Sequence, residues 1–255
     1  MNFKFLKSNF YDLENKISSY FTNNDILIDS YLEEIVLRSN FYKIMIDNTY
    51  IGFCAIEKKH TLVLFNLELE FAHLGEDVFF KARKLEFISN ALISTSDEYF
   101  MAHAMDSFGT FEKEGYFTRL RNDSLKISSN TILSLATMQD FEMINELSEQ
   151  FYQESLSRML EEKTFYLAKN KLGELVGFGH AEPGKINKDK ISVGMFVIAS
   201  HRSNGHGSDI LRGLRDLVIA LEKTPIAGCW AFNHNSLKAQ INAGFYPATR
   251  MVKFK

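Results

Sequence analysis

Apolar residues recur along the second half of the chain with two different periods. Ile210, Leu211, Leu214, Leu217, Val218 and Leu221 fall on one stripe of a helix, and Phe141, Ile144, Leu147 and Phe151 recur at the same spacing. Elsewhere the pattern is that of strands. "TFYLAKNKLGELVGFGHAEP" predicts a hairpin, with apolar Phe165–Leu167, a turn at Gly173 and a second apolar run over Leu175–Gly179. "ISVGMFVIAS" and "IAGCWAF" predict buried strands, and "TRMVKFK" alternates as a closing strand. "NSLKAQINAGF" predicts a short helix that stops at Gly244, a residue suited to a left-handed cap. The predicted order is β-α-(α)-β-β-β-α-β-α-β.

The first half repeats parts of this pattern. "DNTYIGFCAIE" echoes "GELVGFGHAE", so that Ile51-Gly52-Phe53 matches Val176-Gly177-Phe178. "AMDSFGTFEKEGYF" echoes "NHNSLKAQINAGFY", with Ser107 and Ser236 each eight residues before a glycine, Gly115 and Gly244. Between these pairs "FAHLGEDVFFKARKL" lies where "RSNGHGSDILRGLRDL" lies in the second half. The three offsets are 125, about 132 and 129. This order predicts two copies of one fold, residues 1–125 and 126–255, joined near "RNDSLKISSN".

Composition narrows the class. A chain of 255 residues, 45% hydrophobic and 24% charged, has the profile of a soluble globular protein. The net charge of −3 argues against a nucleic-acid partner, which calls for a basic excess. The halves differ, with 13 basic and 19 acidic residues in 1–125 against 16 and 13 in 126–255. An anionic ligand is therefore better suited to the second half. Cys54 and Cys229 sit in apolar strand-like runs and are expected as buried, reduced thiols. No Cys-x-x-Cys or His-x-x-x-His spacing supports a metal site. The longest apolar run, about nine residues, is too short for a membrane span. "MNFKFLKSNF" lacks a signal-peptide core, so a cytoplasmic protein is expected.

The stretch "HRSNGHGSDILRGL" places two glycines between a strand and a helix. The first N–H groups of a helix lack internal acceptors and carry partial positive charge, and glycines let a ligand approach them. Such a turn suits a phosphate or pyrophosphate. Alone, a Gly-x-Gly is more often a simple turn. No Gly-Lys-Ser/Thr follows, and neither a third glycine nor a suitably placed acid supports a dinucleotide fold.

The combination is more telling. "RSNGHG" fits Arg/Gln-x-x-Gly-x-Gly/Ala. One helix and one strand later, "NHNSLKAQINAGF" fits Asn-x-x-Ser/Ala with Gly-Phe after it. Together these resemble the GNAT superfamily of acyl-CoA-dependent N-acetyltransferases, well over residues 128–255 and as a degenerate copy over 1–125. The resemblance implies an α/β (α+β) tandem, each domain a mixed, mostly antiparallel sheet flanked by helices. It implies acetyl-CoA as co-substrate, no metal, and a small-molecule or protein amine as acceptor, in a monomer or homodimer. Arg202, Ser203, Asn204, Gly205, His206, Gly207 and Ser208 would hold the pyrophosphate. The backbone of Phe196 and Val197 would pair with the pantetheine arm. Asn233 would bond that arm, Ser236 would lie near it, and the acceptor would enter around Phe151–Leu160 and the hairpin.

The first copy departs from this pattern. Aligning Gly75 with Gly207 sets Glu70 opposite Arg202, His73 opposite Gly205 and Ala104 opposite Asn233. Glu70, Glu76 and Asp77 oppose a pyrophosphate, so residues 1–125 are expected to keep the fold as scaffold or substrate wall without CoA binding. The catalytic groups are less legible. Many relatives carry a carboxylate on the strand before the loop and a tyrosine four residues after the Ser/Ala; here stand only Ser192 and Ser200, and Gln240. His180, with Glu182, is a candidate base or else a hydrogen-bonded core histidine, and Tyr246 a candidate acid or else a packing aromatic. The reading is direct transfer of acetyl to a primary amine. The rivals are a non-catalytic CoA-sensing or protein-binding module and, more weakly, another acyl transfer of the tandem type.

Overall fold

The computed structural model describes residues 2–58, 60–122 and 128–255. The chain forms two compact units. The first contains Met1–Gly115, Lys185–Asn187 and Thr249–Lys255, and the second Tyr116–Gly184 and Lys188–Ala248. The expected linker is centred on residues 123–127, and the expected 125/126 boundary falls among them, outside the described residues.

Both halves of the chain run through the same elements. The first gives β1 (Phe3–Ser8), α1 (Phe10–Asn23), α2 (Ser30–Leu37), β2 (Asn40–Ile46), β3 (Thr49–Glu57), β4 (Thr61–Leu67), α3 (Gly75–Ala82), β5 (Asn90–Ser94), α4 (Glu98–Ser107) and β6 (Phe111–Leu120). The second gives β7 (Ile132–Leu135), α5 (Phe141–Leu147), α6 (Leu156–Glu161), β8 (Phe165–Lys169), β9 (Leu175–Pro183), β10 (Lys190–Val197), α7 (His206–Ala220), β11 (Thr224–Trp230), α8 (His234–Asn242) and β12 (Phe245–Phe254). The predicted mixed α/β order holds. Strands in the first unit lie in the order β1-β2-β3-β4-β5-β12, and in the second β6-β11-β10-β9-β8-β7. The pairings β4–β5 and β10–β11 are parallel; β1–β2, β2–β3, β3–β4, β5–β12, β7–β8, β8–β9 and β9–β10 are antiparallel.

The closing strands are exchanged along the chain. Met251–Phe254 of β12 pair with Ser94–Ala91 and complete the first unit, while Thr118 of β6 donates to the Ala227 carbonyl at 3.1 Å in the second. Residues 1–125 alone therefore lack a strand of their own unit. Phe254 is 1% exposed, with its ring 6.1 Å from Phe108 and 5.5 Å from Phe111.

The echo of Ile-Gly-Phe and Val-Gly-Phe has a physical basis. Gly52 pairs with Leu67, and Gly177 with Val197. A Cβ would lie 2.1 Å from the Asn66 carbonyl oxygen at Gly52 and 2.3 Å from that of Phe196 at Gly177. Only glycine admits the neighbouring strand so close. The second echo needs correction. Gly115 lies inside β6, whereas Gly244 ends the α8 turn with φ 99°, so the two glycines are not equivalent. Asp97 and Asn233 are the equivalent N-caps, accepting from Phe100 N at 3.1 Å and Ser236 N at 3.0 Å. Asn233 is therefore matched by Asp97, not Ala104. The helix expected to reach Phe151 stops at Leu147, because Glu149 and Gln150 adopt positive φ of 55° and 61°. Both cysteines are thiols in no disulfide; Cys54 is buried as expected, and Cys229 only half-buried.

Because Phe254 sits in the first unit's core, Phe254→Ala should cost about 3–5 kcal/mol in denaturant-induced unfolding. A loss under about 1 kcal/mol would contradict the placement of the C-terminal strand.

Candidate functional site

The parallel pairing of β10 with β11 covers Lys190–Thr224, Ile191–Pro225 and Ser192–Ile226 and goes no further. Val193–Val197 keep their partners on β9, so their other edge faces a gap. Beyond it β11 carries Cys229 and Trp230, the latter 49% exposed. Strand edges left this way offer N–H and C=O groups to an added extended chain.

The loop at the head of this gap runs from Val197 to α7. Its two unusual residues are Ser203, with φ 67°, and Gly205, with φ 83°. Gly205 is the N-cap of α7 and makes no side-chain cap. Among the described residues, the N–H groups of Ser203, Asn204, Gly205, His206 and Gly207 find no acceptor, since the helix ladder begins with Ser208 and Asp209 bonding to the Gly205 carbonyl. Five outward donors at a helix start form a nest for an anion. Asp209 in the first turn is ion-paired to Arg212 at 2.6 Å, which offsets its charge there. Gly207 touches its surroundings closely: a Cβ would lie 3.2 Å from Met195 Cε and 3.5 Å from Ala239 Cβ.

Other sequence-predicted residues fall around the gap. Asn233 caps α8 through its side-chain oxygen, which leaves its amide nitrogen as a donor. Ser236 Oγ accepts weakly from Gln240 Nε2 at 3.5 Å. Gln240 itself is buried and committed: it donates to the Gly228 carbonyl at 3.0 Å and accepts from Thr118 at 3.0 Å. Arg212 and Arg215 donate to the Asn242 and Ala243 carbonyls at 2.8 and 3.1 Å, so α7 fixes the C-terminus of α8. Arg202 lies back on the strand. Its Nε donates to the Val197 carbonyl at 3.1 Å, its guanidinium stands 5.3 Å from the Phe196 ring centroid, and it pairs with Glu149 at 2.9 Å.

On β9, alternate residues face opposite sides. Gly177 and Gly179 face α7, where Ile210 and Leu214 press to 2.9 Å of a would-be Cβ. Phe178, His180 and Glu182 face the other side. There His180 lies against Gly194 and 5.8 Å from the Tyr152 ring. Glu182 Oε1 is 3.8 Å from His180 Nε2, and Glu182 Oε2 is held by Arg158 at 2.9 Å. Burial pulls the His180 pKa below its ordinary 6.5; the Glu182 charge raises it and Arg158 lowers it. Burial, with the Glu182 charge, raises the Tyr152 phenol well above its ordinary 10.0. His180 and Glu182 are thus together. Tyr246 lies half-exposed on β12, outside this group. Tyr152 and Arg158 were not singled out in the sequence, where Tyr152 is one aromatic among many.

The equivalent place in the first unit is filled. β4 pairs with β5 only at Thr61–Asn90 and Leu62–Ala91, so the strands part in the same way. At the start of α3, a Cβ on Gly75 would meet His103 Nε2 at 2.3 Å and the Tyr99 hydroxyl at 2.5 Å. Tyr99 stacks on Phe65 at 5.9 Å, stands 4.6 Å from His103 and donates to the Ala72 carbonyl at 3.1 Å. The cap residue is acidic: buried Asp97 accepts from Tyr20, and burial pushes its pKa up to about 7.

Residues 9–121 match the family model described as an acetyltransferase (GNAT) domain. The match falls on the first half of the chain, where the Arg-x-x-Gly-x-Gly motif is absent. Among solved structures, an acetyltransferase of the GNAT family from Colwellia psychrerythraea shares 20% identity at a TM-score of 0.86, covering 100% of this chain and 99% of its own. A tandem GNAT protein from the clavulanic acid biosynthesis pathway shares 15% at 0.58 over 99% and 98%, and a GCN5-related N-acetyltransferase from Sphaerobacter thermophilus 11% at 0.64 over 99% and 95%. No curated protein matches the chain. The chain has the tandem GNAT fold.

The buried imidazole generates a pH prediction. The unfolded chain takes up a proton at His180 near 6.5 while the folded chain resists until lower pH. The stability this neutral histidine allows is present above about 6.5 and is lost as pH falls through the folded value. Denaturant midpoints between pH 7.5 and 5 should therefore fall more steeply for wild type than for His180→Gln. Parallel curves would contradict the burial.

Proposed function

We propose, from the GNAT fold of both units and the GNAT acetyltransferase domain matched over residues 9–121, that the protein transfers acetyl from acetyl-CoA to a primary amine at its second unit. The observation that carries this is the set of five N–H groups at Ser203–Gly207 that have no acceptor among the described residues, at the head of the gap between β10 and β11. The nest takes the pyrophosphate. Arg202 adds a cation once it swings from Glu149, which also releases the Val197 carbonyl for the pantetheine amide. The Phe196–Val197 edge and Asn233 then hold the arm from two sides. The first unit binds no acetyl-CoA, because Tyr99 and His103 cover its helix start and Glu76, Asp77 and Asp97 oppose an anion.

His180 serves as the base. Its neutral state at pH 7 leaves one nitrogen with a lone pair, and the Glu182 carboxylate near Nε2 favours the proton there, making Nδ1 the acceptor. Arg158 holds Glu182 in place. The amine nitrogen attacks the thioester carbon; the C–N bond forms and its proton passes to Nδ1. The C–S bond breaks, and the thiolate leaves with the electron pair and is protonated from solvent. Tyr246 has no part in this centre. Positioning at the gap and this one base supply the catalysis.

A second reading, a CoA-sensing module without turnover, is favoured by Gln240, which stands where an acid is expected and is spent on Gly228 and Thr118. Turnover against a panel of primary amines separates the two, since binding without turnover supports the sensor. The cofactor assignment has its own test. Asn204 is exposed within the nest, and an aspartate of the same shape there favours the helix dipole while repelling pyrophosphate. Asn204→Asp should leave the melting temperature within a few degrees and weaken acetyl-CoA binding at least tenfold, followed through the emission of Trp230. Undiminished affinity would sink the loop assignment.

A further inference from the structure

The second unit buries two polar atoms on one face of β9 that have no hydrogen-bond partner among the described residues: the Tyr152 hydroxyl and His180 Nδ1. Tyr152 is 3% exposed and wedged by aromatic rings, 4.9 Å from Phe151, 4.9 Å from Phe165 and 6.3 Å from Phe196. Phenylalanine would fill that space equally well. A buried hydroxyl without a partner costs stability, so its presence asks for a ligand that completes it. The neighbouring ring that shares this condition is the base, His180, 5.8 Å away and nearly perpendicular at 84°.

We propose that the Tyr152 oxygen and His180 Nδ1 are the two acceptors for the two N–H bonds of a primary amine. This rests on the acetyltransferase reading above. With both N–H bonds engaged, the one remaining direction on nitrogen is its lone pair, which is thereby aimed at the thioester carbon. As the C–N bond forms and the C–S bond breaks, the proton held at Nδ1 transfers to the imidazole. The proton held by Tyr152 stays on nitrogen, becoming the amide N–H. Tyr152 therefore orients and is not itself ionised. A secondary amine has one N–H to offer and leaves one acceptor empty, so the site selects primary amines over their N-methyl derivatives.

Tyr152→Phe separates this role from a packing role. Three readouts use the full chain: melting temperature, acetyl-CoA binding by calorimetry, and kcat/KM for a primary amine and its N-methyl derivative. The expected variant melts at or above the wild-type temperature, binds acetyl-CoA equally well and acetylates the primary amine at least tenfold more slowly. Its preference for primary over N-methylated amine shrinks towards one. Turnover within twofold of wild type, or an unchanged preference, overturns the proposal while leaving the acetyltransferase reading intact. A fall of several degrees in melting temperature with unchanged preference assigns the hydroxyl a structural partner and overturns it as well. A wild-type chain that binds acetyl-CoA and acetylates no amine, or that binds none, removes the underlying reading and this role with it.

Discussion

The divergence of β10 from β11 after three paired residues is the constraint that shapes the candidate site of the second unit. It leaves the edge of Val193–Val197 open, and it sets the start of α7 at the head of that opening. The close contacts around Gly207 with Met195 and Ala239 hold the helix start against β10 and α8. Arg212 and Arg215 then tie the far end of α8 to α7. Without those ties, the nest of N–H groups and the Asn233 amide would not be fixed to one another. In the first unit the same divergence exists, but aromatic side chains have taken the space. The two units show one backbone solution used in two ways, open in one and packed in the other.

The opposite face of β9 obeys a different rule. There the unit accepts polar groups in an aromatic setting where apolar ones would be more stable. Glu182 is the most securely held, by Arg158. His180 and Tyr152 are left with atoms that have no hydrogen-bond partner among the described residues. Fully satisfied polar networks rigidify a core, whereas an unpaired polar group in the same low dielectric is costly. The cost of these orphan atoms is offset by the neighbouring Phe165 and Phe178, both fully buried.

Much of the architecture was legible because it is written in periodicity. The helical stripe of Ile210, Leu211, Leu214 and Val218 and the strands at β8 to β10 follow directly from apolar spacing. The repeat was legible through Gly52 and Gly177, whose role in strand approach allows no other residue. It misled where it relied on Gly115, a glycine inside a strand, and so paired Asn233 with Ala104 in place of Asp97. The exchange of β6 and β12 left no trace in the sequence, because a strand carries the same alternation whichever sheet it closes. The pairing of Arg202 with Glu149 and the Val197 carbonyl was equally invisible, because only the fold brings these partners close. The family match to residues 9–121 makes the same point from the other side. Such a match follows the core pattern, which the first unit retains, while the Arg-x-x-Gly-x-Gly motif lies in the second half.

The central claim is that one acetyl-CoA binds per chain, at the Ser203–Gly207 amides. Hydrogen exchange on the full-length protein, with and without acetyl-CoA, tests this most directly. Amides of Ser203–Ser208 should gain protection on binding, while the equivalent segment of the first unit, Leu69–Asp77, should not change. Protection of Leu69–Asp77 instead, or exchange at Ser203–Ser208 that is indifferent to acetyl-CoA, would contradict the account.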